Sequence, residues 1–444
     1  MLKKIIAATL VLSMSAVYVV AENIGVDFDG VNRIQDIKKL SLSEGIASQI
    51  ANLEIEVPEM DSLNKKTKGS AEWTIMVFVN SKNNLERYGL KDVNEMEMVG
   101  SSDKVNIVVE MGRMSGFDSS EGDWIGTRRY LIKKDDNTNA VTSPVVQDLG
   151  KVDMGDWKQL VSFGKWAKAT YPAKKYMLIV WNHGSGWEKS KSIVDKGLSY
   201  DDETGNHFTT PQLGMALNEI GGLDVYGSDA CLMQMVSVDY ELKDAVTYIV
   251  GSEETEPGDG YTYNTMLEPI VSNPTITPYK AAKVVVDAYS DHYQDMGSAY
   301  TQAFVRTSAM SNLLNLMNEW AYAVTEAGDK AIVKSAISNA QSFAMRDNKD
   351  LYHFVSLVGE KTTSAAAKEK GETLMSYIKR SVVGYNRWNS SSGGWWGPED
   401  YSNAHGIAIY LPGYSYDSNY NELKFAKYSN WDEFIQWYTA KDAK

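Results

Sequence analysis

Unbroken apolar runs alternating with helically spaced ones dominate the middle of the chain. Residues 73–79 are continuously apolar and β-rich, and residues 105–109 repeat the pattern. Between them, residues 85–99 space their apolar side chains as a helix does. Strand, helix, strand, with strands apolar on both faces, is the unit of a parallel sheet. Residues 129–132 read as part of a short excursion, 157–171 as a helix stopped by Pro172, and 176–181 as a third buried strand. Thr210-Pro211 opens another helix, with threonine as cap and proline in the first turn. Residues 225–228 and 248–251 form two more strands, with a helix over 233–243 between them. This alternation predicts an α/β fold, a mostly parallel sheet flanked by helices on both faces.

After Pro278 the texture changes. Helical patterns cover 279–295, 311–327, 332–343 and 365–383, with strands at 303–305 and 407–411 among them. The expected organisation is a compact domain over 72–310 and a largely helical C-terminal extension over 311–444 that returns a late strand to the same fold. Residues 389–401, rich in Gly, Ser and Trp and including Trp395 and Trp396, read as a surface loop. No internal repeat is visible.

The N-terminus changes the picture by assigning a compartment. Lys3 and Lys4 precede an apolar stretch over 5–20 that ends at Ala21, before Glu22. A basic start, a moderate apolar core and a small residue at the exit mark a cleavable signal peptide over 1–21. The stretch falls short of the roughly 20 residues that a spanning helix prefers. The chain is therefore expected to be secreted or periplasmic, with no membrane span once the signal is removed. Residues 22–71 read as a pro-segment and linker, with one short helix over 40–53 and a basic stretch around Lys65, Lys66 and Lys68. The formal charge of −14 becomes −16 without Lys3 and Lys4, which argues against nucleic-acid partners. Hydrophobic residues make up 43% of the chain, enough for a large core.

A single cysteine, Cys231, stands in all 444 residues. In an extracytoplasmic chain it cannot close an internal disulfide, so it is an inert buried thiol, an intermolecular link or a reactive nucleophile. Its surroundings favour the third. The strand over 225–228 runs into Asp229-Ala230-Cys231, and the strand over 176–181 runs into Asn182-His183-Gly184. In a parallel sheet both ends fall on the carboxyl edge, where open α/β proteins place ligands. A thiol and an imidazole there suit nucleophilic catalysis. The amides of Gly184 and Cys231 suit an oxyanion, and a following helix would favour the thiolate. Five scattered histidines and one cysteine show no usual zinc spacing.

These motifs and their order resemble the clostripain family of secreted bacterial cysteine peptidases, which have a caspase-like fold. The likeness extends from Trp73-Thr74-Ile75-Met76-Val77 and Asn83-Asn84-Leu85-Glu86, through Asp148-Leu149-Gly150 and Met154-Gly155-Asp156, to the His-Gly and Asp-Ala-Cys motifs. Ser252-Glu253-Glu254-Thr255-Glu256-Pro257-Gly258 and Gly406-Ile407-Ala408-Ile409-Tyr410-Leu411-Pro412 continue it, to about residue 438. The resemblance implies peptide-bond hydrolysis by a His183/Cys231 dyad, on protein or peptide substrates with arginine or lysine at the cleaved position. Asp229 matches the acid at the base of the family's primary specificity pocket, and Asp259 is a second candidate wall. Self-processing is expected at Lys68, or at Lys189, Lys191 and Lys196 between the catalytic strands. The chemistry needs no cofactor. Calcium is possible, because the family uses it and Asp201, Asp202, Glu203 and Asn206 form an acidic loop. One departure is Asn80-Ser81-Lys82, where the family usually carries an acid before the paired asparagines; this puts an ion-binding role for that loop in doubt. The competing readings are a non-catalytic secreted binding protein on a caspase-like scaffold and, more weakly, a glycan-directed protein.

Overall fold

The computed structural model describes residues 71–189, 196–394 and 397–441, with the side chains of 188, 189, 196, 394 and 397 excepted. The signal peptide, the pro-segment with Lys65, Lys66 and Lys68, the helix over 40–53, Lys191, Trp395 and Trp396 lie outside the described residues.

In chain order, the first elements are β1 (Ala71–Asn80), α1 (Glu86–Glu97), β2 (Val105–Arg113), β3 (Gly126–Leu131), β4 (Val145–Gly150), α2 (Trp157–Thr170) and β5 (Ala173–Trp181). A small sheet follows, of β6 (Gly184–Lys189), β7 (Lys196–Asp201) and β8 (Asn206–Phe208). The fold continues through α3 (Thr210–Ile220), β9 (Leu223–Asp229), α4 (Val236–Leu242), β10 (Val246–Gly251), α5 (Tyr263–Ser272), α6 (Pro278–Asp295) and β11 (Tyr300–Arg306). The last part holds α7 (Met310–Glu326), α8 (Lys330–Asn339), β12 (Asn348–Asp350), α9 (Leu351–Lys361), α10 (Ala365–Tyr377), β13 (Val383–Asn389), β14 (Ser391–Gly394), β15 (Gly397–Glu399), β16 (Ala408–Tyr410), α11 (Lys424–Tyr428) and α12 (Trp431–Thr439).

The main sheet has the order β13-β11-β10-β9-β5-β1-β2-β3-β4. The pairs from β10 to β2 are parallel and the outer pairs on both sides antiparallel. The two-residue period of a strand explains why its central runs are apolar throughout. Met76, Phe78, Leu178, Val180 and Tyr226 face a core built with α2, α3, α4 and the C-terminal helices α7, α9, α10 and α12. Ile75, Val77, Met177, Ile179 and Val225 face the opposite core, built with α1, α5 and α6.

Details depart from the sequence reading where propensity is weak. The helix at 210 is capped by Thr209, whose side chain accepts from Gln212 N while Gln212 reciprocates, a capping box. The strand at 407–411 does not enter the main sheet; Ala408–Tyr410 pairs with Asn348–Asp350. The late strand of the main sheet is β13, antiparallel to β11, in the gap between the helix expected to end at 383 and the loop expected from 389. Its half-exposed residues carry no apolar run, and Gly384 lies flat on the ring of Phe304.

Candidate active site

Parallel pairing of β5 with β9 sets Trp181 opposite Asp229, and Asn182 N donates to Asp229 O at 3.2 Å. His183 and Cys231 each follow that pair by two residues, at one edge of the sheet. A Cβ on Gly184 would stand 2.5 Å from Cys231 O and 3.0 Å from Ala230 Cβ, so only glycine lets the histidine loop lie on the backbone of Cys231. Beyond the cysteine, Leu232 adopts φ 64°, a left-handed conformation unfavourable for a branched side chain. Its N–H donates to Glu254 O at 3.0 Å, which helps to hold the turn.

Cys231 is half-buried, and its Sγ accepts a hydrogen bond from Glu256 N at 3.3 Å. Burial, reinforced by the carboxylates of Glu256 and Glu254, pushes the thiol up to about 12. The expected help from a helix dipole is missing. Met235 is still extended and α4 begins only at Val236, whereas the dipole acts within about the first turn. Burial and the neighbouring acids thus favour the thiol over the thiolate.

His183 Nε2 lies 2.8 Å from Asn84 Oδ1, and its ring meets Tyr200 edge-on at 6.3 Å. Around it, asparagines tie three chain segments together. Asn182 Oδ1 accepts from His183 N at 2.7 Å and Tyr200 N at 2.8 Å, while its Nδ2 donates to Asn80 O at 2.5 Å. Asn83 Nδ2 donates to Tyr200 O at 3.0 Å. The sequence held one cue to this support: asparagines clustered at strand ends bond to nearby backbone.

The Clostripain family of C11 peptidases matches this chain over residues 77–438. The chain belongs to the clostripain family. Clostripain itself, from Hathewaya histolytica, is 27% identical over 237 residues, covering 48% of this chain and 45% of clostripain. The matched segment thus spans less than half of that relative's length. Among solved structures, a secreted C11 cysteine protease from Bacteroides thetaiotaomicron bound to an irreversible peptide inhibitor superposes with a TM-score of 0.62 at 20% identity, over 83% of this chain and 99% of that one. An inactive zymogen C11 protease from Parabacteroides distasonis gives 0.62 at 17% identity, over 82% and 99%. At such identities these two establish the shared fold, a mostly parallel α/β sheet flanked by helices.

Beneath the cysteine lies a set of buried carboxyl groups. Asp229, 4% exposed, accepts from Tyr261 N at 3.1 Å and Tyr263 Oη at 2.8 Å. Burial lifts its carboxyl to about 7, against those two hydrogen bonds, and it is hydrogen-bonded to the carboxyl of Glu256. Glu256 is pushed far above the usual carboxylate range by burial and by Asp229, and accepts from Gln302 Nε2 at 3.3 Å. Asp92 is also raised by burial and takes Trp181 Nε1 at 2.7 Å. Among the described residues no lysine or arginine pairs with Asp92, Asp229 or Glu256. Asp259 sits apart, more exposed, where its carboxylate meets Lys91 Nζ at 3.0 Å. Sequence reasoning named Asp229 and Asp259 but missed Asp92 and Glu256, because an acid on a helix or in a loop reads as solvated until the fold buries it.

The acidic loop does not fit calcium. Asp201 is buried, accepts from Met154 N at 2.9 Å and faces Lys82 Nζ at 3.4 Å. Glu203 takes Lys82 at 2.9 Å and Lys151 at 2.7 Å, which together hold its carboxyl below the usual range. Burial raises Asp202. Asn206 Nδ2 donates to Asp153 at 2.8 Å. The carboxylates of Asp201 and Glu203 are already directed at ammonium groups. Of the expected processing sites, Lys189 ends β6 and Lys196 begins β7, on either side of residues outside the described set. No described helix is long and apolar enough to cross a membrane.

Proposed function

We propose that this chain is a secreted cysteine endopeptidase that hydrolyses peptide bonds after arginine or lysine. The observation that carries it is the placing of His183 and Cys231 two residues beyond the registered pair Trp181 and Asp229, with the Asp229 carboxyl buried below.

Cys231 Sγ attacks the scissile carbonyl carbon while its proton passes to the imidazole of His183. The amides of Gly184 and Cys231 stabilise the oxyanion of the tetrahedral intermediate. His183 then returns the proton to the leaving amine, and the C–N bond breaks to leave a thioester. Water, deprotonated by His183, attacks the thioester and regenerates the thiol. A thiol near 12 has almost no thiolate at neutral pH, so transfer to histidine must accompany attack.

Specificity follows from the buried acids. A carboxyl group in a low-dielectric site is raised because its charge is unpaired, and an entering guanidinium or ammonium removes that cost. Asp229 is the pocket floor in this reading and Asp259 a wall at its rim. The protonated thiol also supports a latent precursor, cut at Lys68 or around Lys189, Lys191 and Lys196 before full activity.

Hydrolysis of arginyl, lysyl and aspartyl peptide reporters, before and after a thiol alkylator, tests the proposal. Cleavage after arginine or lysine that alkylation abolishes supports it. Silence from fully processed protein would instead favour a binding protein on the same scaffold.

A further inference from the structure

The side chain of Lys82 is fully buried, although it carries a charge and stands at the loop that follows β1. Its Nζ lies 2.5 Å from Val152 O, 2.9 Å from Glu203 Oε2 and 3.4 Å from Asp201 Oδ2. Three oxygens from two separate chain segments converge on one ammonium, which is a cation site with the cation attached to the chain. A divalent ion would need the same carboxylate oxygens, and the ammonium occupies their shared face. The backbone of Lys82 fastens one of these segments as well, since its carbonyl accepts from Asp202 N at 2.8 Å.

Two residues on, Asn84 reaches the imidazole. An amide oxygen only accepts, so at 2.8 Å Asn84 Oδ1 places the ring proton on Nε2 and leaves the lone pair on Nδ1. Asn84 is itself exposed, so its position depends on the loop beneath it. Among the described residues, the groups about the ring include Tyr200, edge-on and itself stacked on His207 at 5.2 Å, and the carboxyl of Asp202, which acts on the ring electrostatically.

We propose that the Lys82 ammonium is the built-in cation of this acidic loop, standing where a divalent ion would otherwise bind, and that it holds Asn84 as a positioning residue for His183. The catalytic part rests on the protease reading above; the tautomer and the cation do not.

The test uses the full chain and the variants Asn84→Ala, Asn84→Asp and Lys82→Met. Nitrogen-15 NMR of the histidines reads the tautomer directly, with His183 assigned by difference from His183→Gln. Wild type should show the proton on Nε2, and Asn84→Ala should lose that preference with an unchanged melting temperature. On an arginyl reporter, Asn84→Ala should lower kcat by roughly tenfold or more, a part of the usual general acid–base contribution, with KM little altered. Asn84→Asp should restore much of kcat and move the acid limb of the pH profile upward, because a carboxylate stabilises the imidazolium. Melting of wild type should be the same in EGTA and in millimolar calcium chloride, and Lys82→Met should melt lower and lose kcat. If Lys82→Met does not fold, Glu203→Gln, at a partly exposed position, is the milder probe and should lower kcat in the same direction. A calcium-dependent rise in wild-type melting, or the same His183 tautomer with and without the Asn84 amide, would overturn the inference. A wild type that cleaves no reporter sinks the protease reading, and the NMR and melting measurements then still decide this one.

Discussion

The backbone amide of Glu256 points at the sulfur of Cys231, 3.3 Å away, while the side chain of Glu256 turns back to bond the carboxyl of Asp229. One residue thus touches both the nucleophile and the candidate specificity floor. Its charge works against thiolate formation. Glu256→Gln is expected to lower the pH at which iodoacetamide alkylates Cys231 half-maximally, and to raise the alkylation rate severalfold at mildly alkaline pH. An unchanged pH–rate curve would show that the Glu256 carboxyl does not contribute to setting the thiol.

Asp229 gives stability a pH signature. Its folded value, near 7, lies above the ordinary value of 3.8, so the folded state binds the proton more tightly than the unfolded state. That contribution is complete below about pH 4 and is lost as pH rises through 7. Asp229→Asn should flatten the melting-temperature profile across this window and melt higher than wild type at pH 8. The same variant should lose about 2–5 kcal/mol of transition-state stabilisation on arginyl reporters, the usual cost of removing one partner of a buried charged pair.

At Gly184 an added Cβ would meet the carbonyl oxygen of Cys231 at 2.5 Å. Backbone cannot move aside as a flexible side chain can. Gly184→Ala should cost about 1–3 kcal/mol of stability and abolish most activity. Denaturant unfolding and reporter hydrolysis measure the two effects separately.

Processing is tested by comparing purified wild type with Cys231→Ala. N-terminal sequencing and intact mass should show wild-type ends after Lys68 or after Lys189, Lys191 or Lys196, and one uncut chain in the variant. Identical uncut chains in both would remove self-cleavage from the account.

The central sheet was legible because its strands are buried on both faces and so are apolar at nearly every position, Thr74 excepted, from Trp73 to Val79 and from Tyr176 to Trp181. The candidate dyad could be named because His183 and Cys231 follow such runs directly, and the pairing of β5 with β9 puts both at one edge of the sheet. Strand β13 was not legible, since Gly384, Asn386, Arg387 and Asn389 give an edge strand no hydrophobic signature. The asparagine support of His183 was hidden for another reason: Asn84 and His183 are 99 positions apart, and only the pairing of β1 with β5 brings their loops together. Lys82 showed as a departure from the family pattern, but its buried partners, Asp201 and Glu203, looked like a solvated turn.

The main chain leaving the nucleophile is completed by residues nearly 180 positions later. Gly406 N donates to the buried carboxyl of Glu253 at 3.0 Å, and Ala408 N donates to Gln234 O at 3.0 Å. During translation, where folding proceeds from the amino end, a chain that has just released Cys231 from the ribosome lacks these braces and the outermost strand beside β11. The turn that presents the sulfur is therefore braced by segments that are synthesised late.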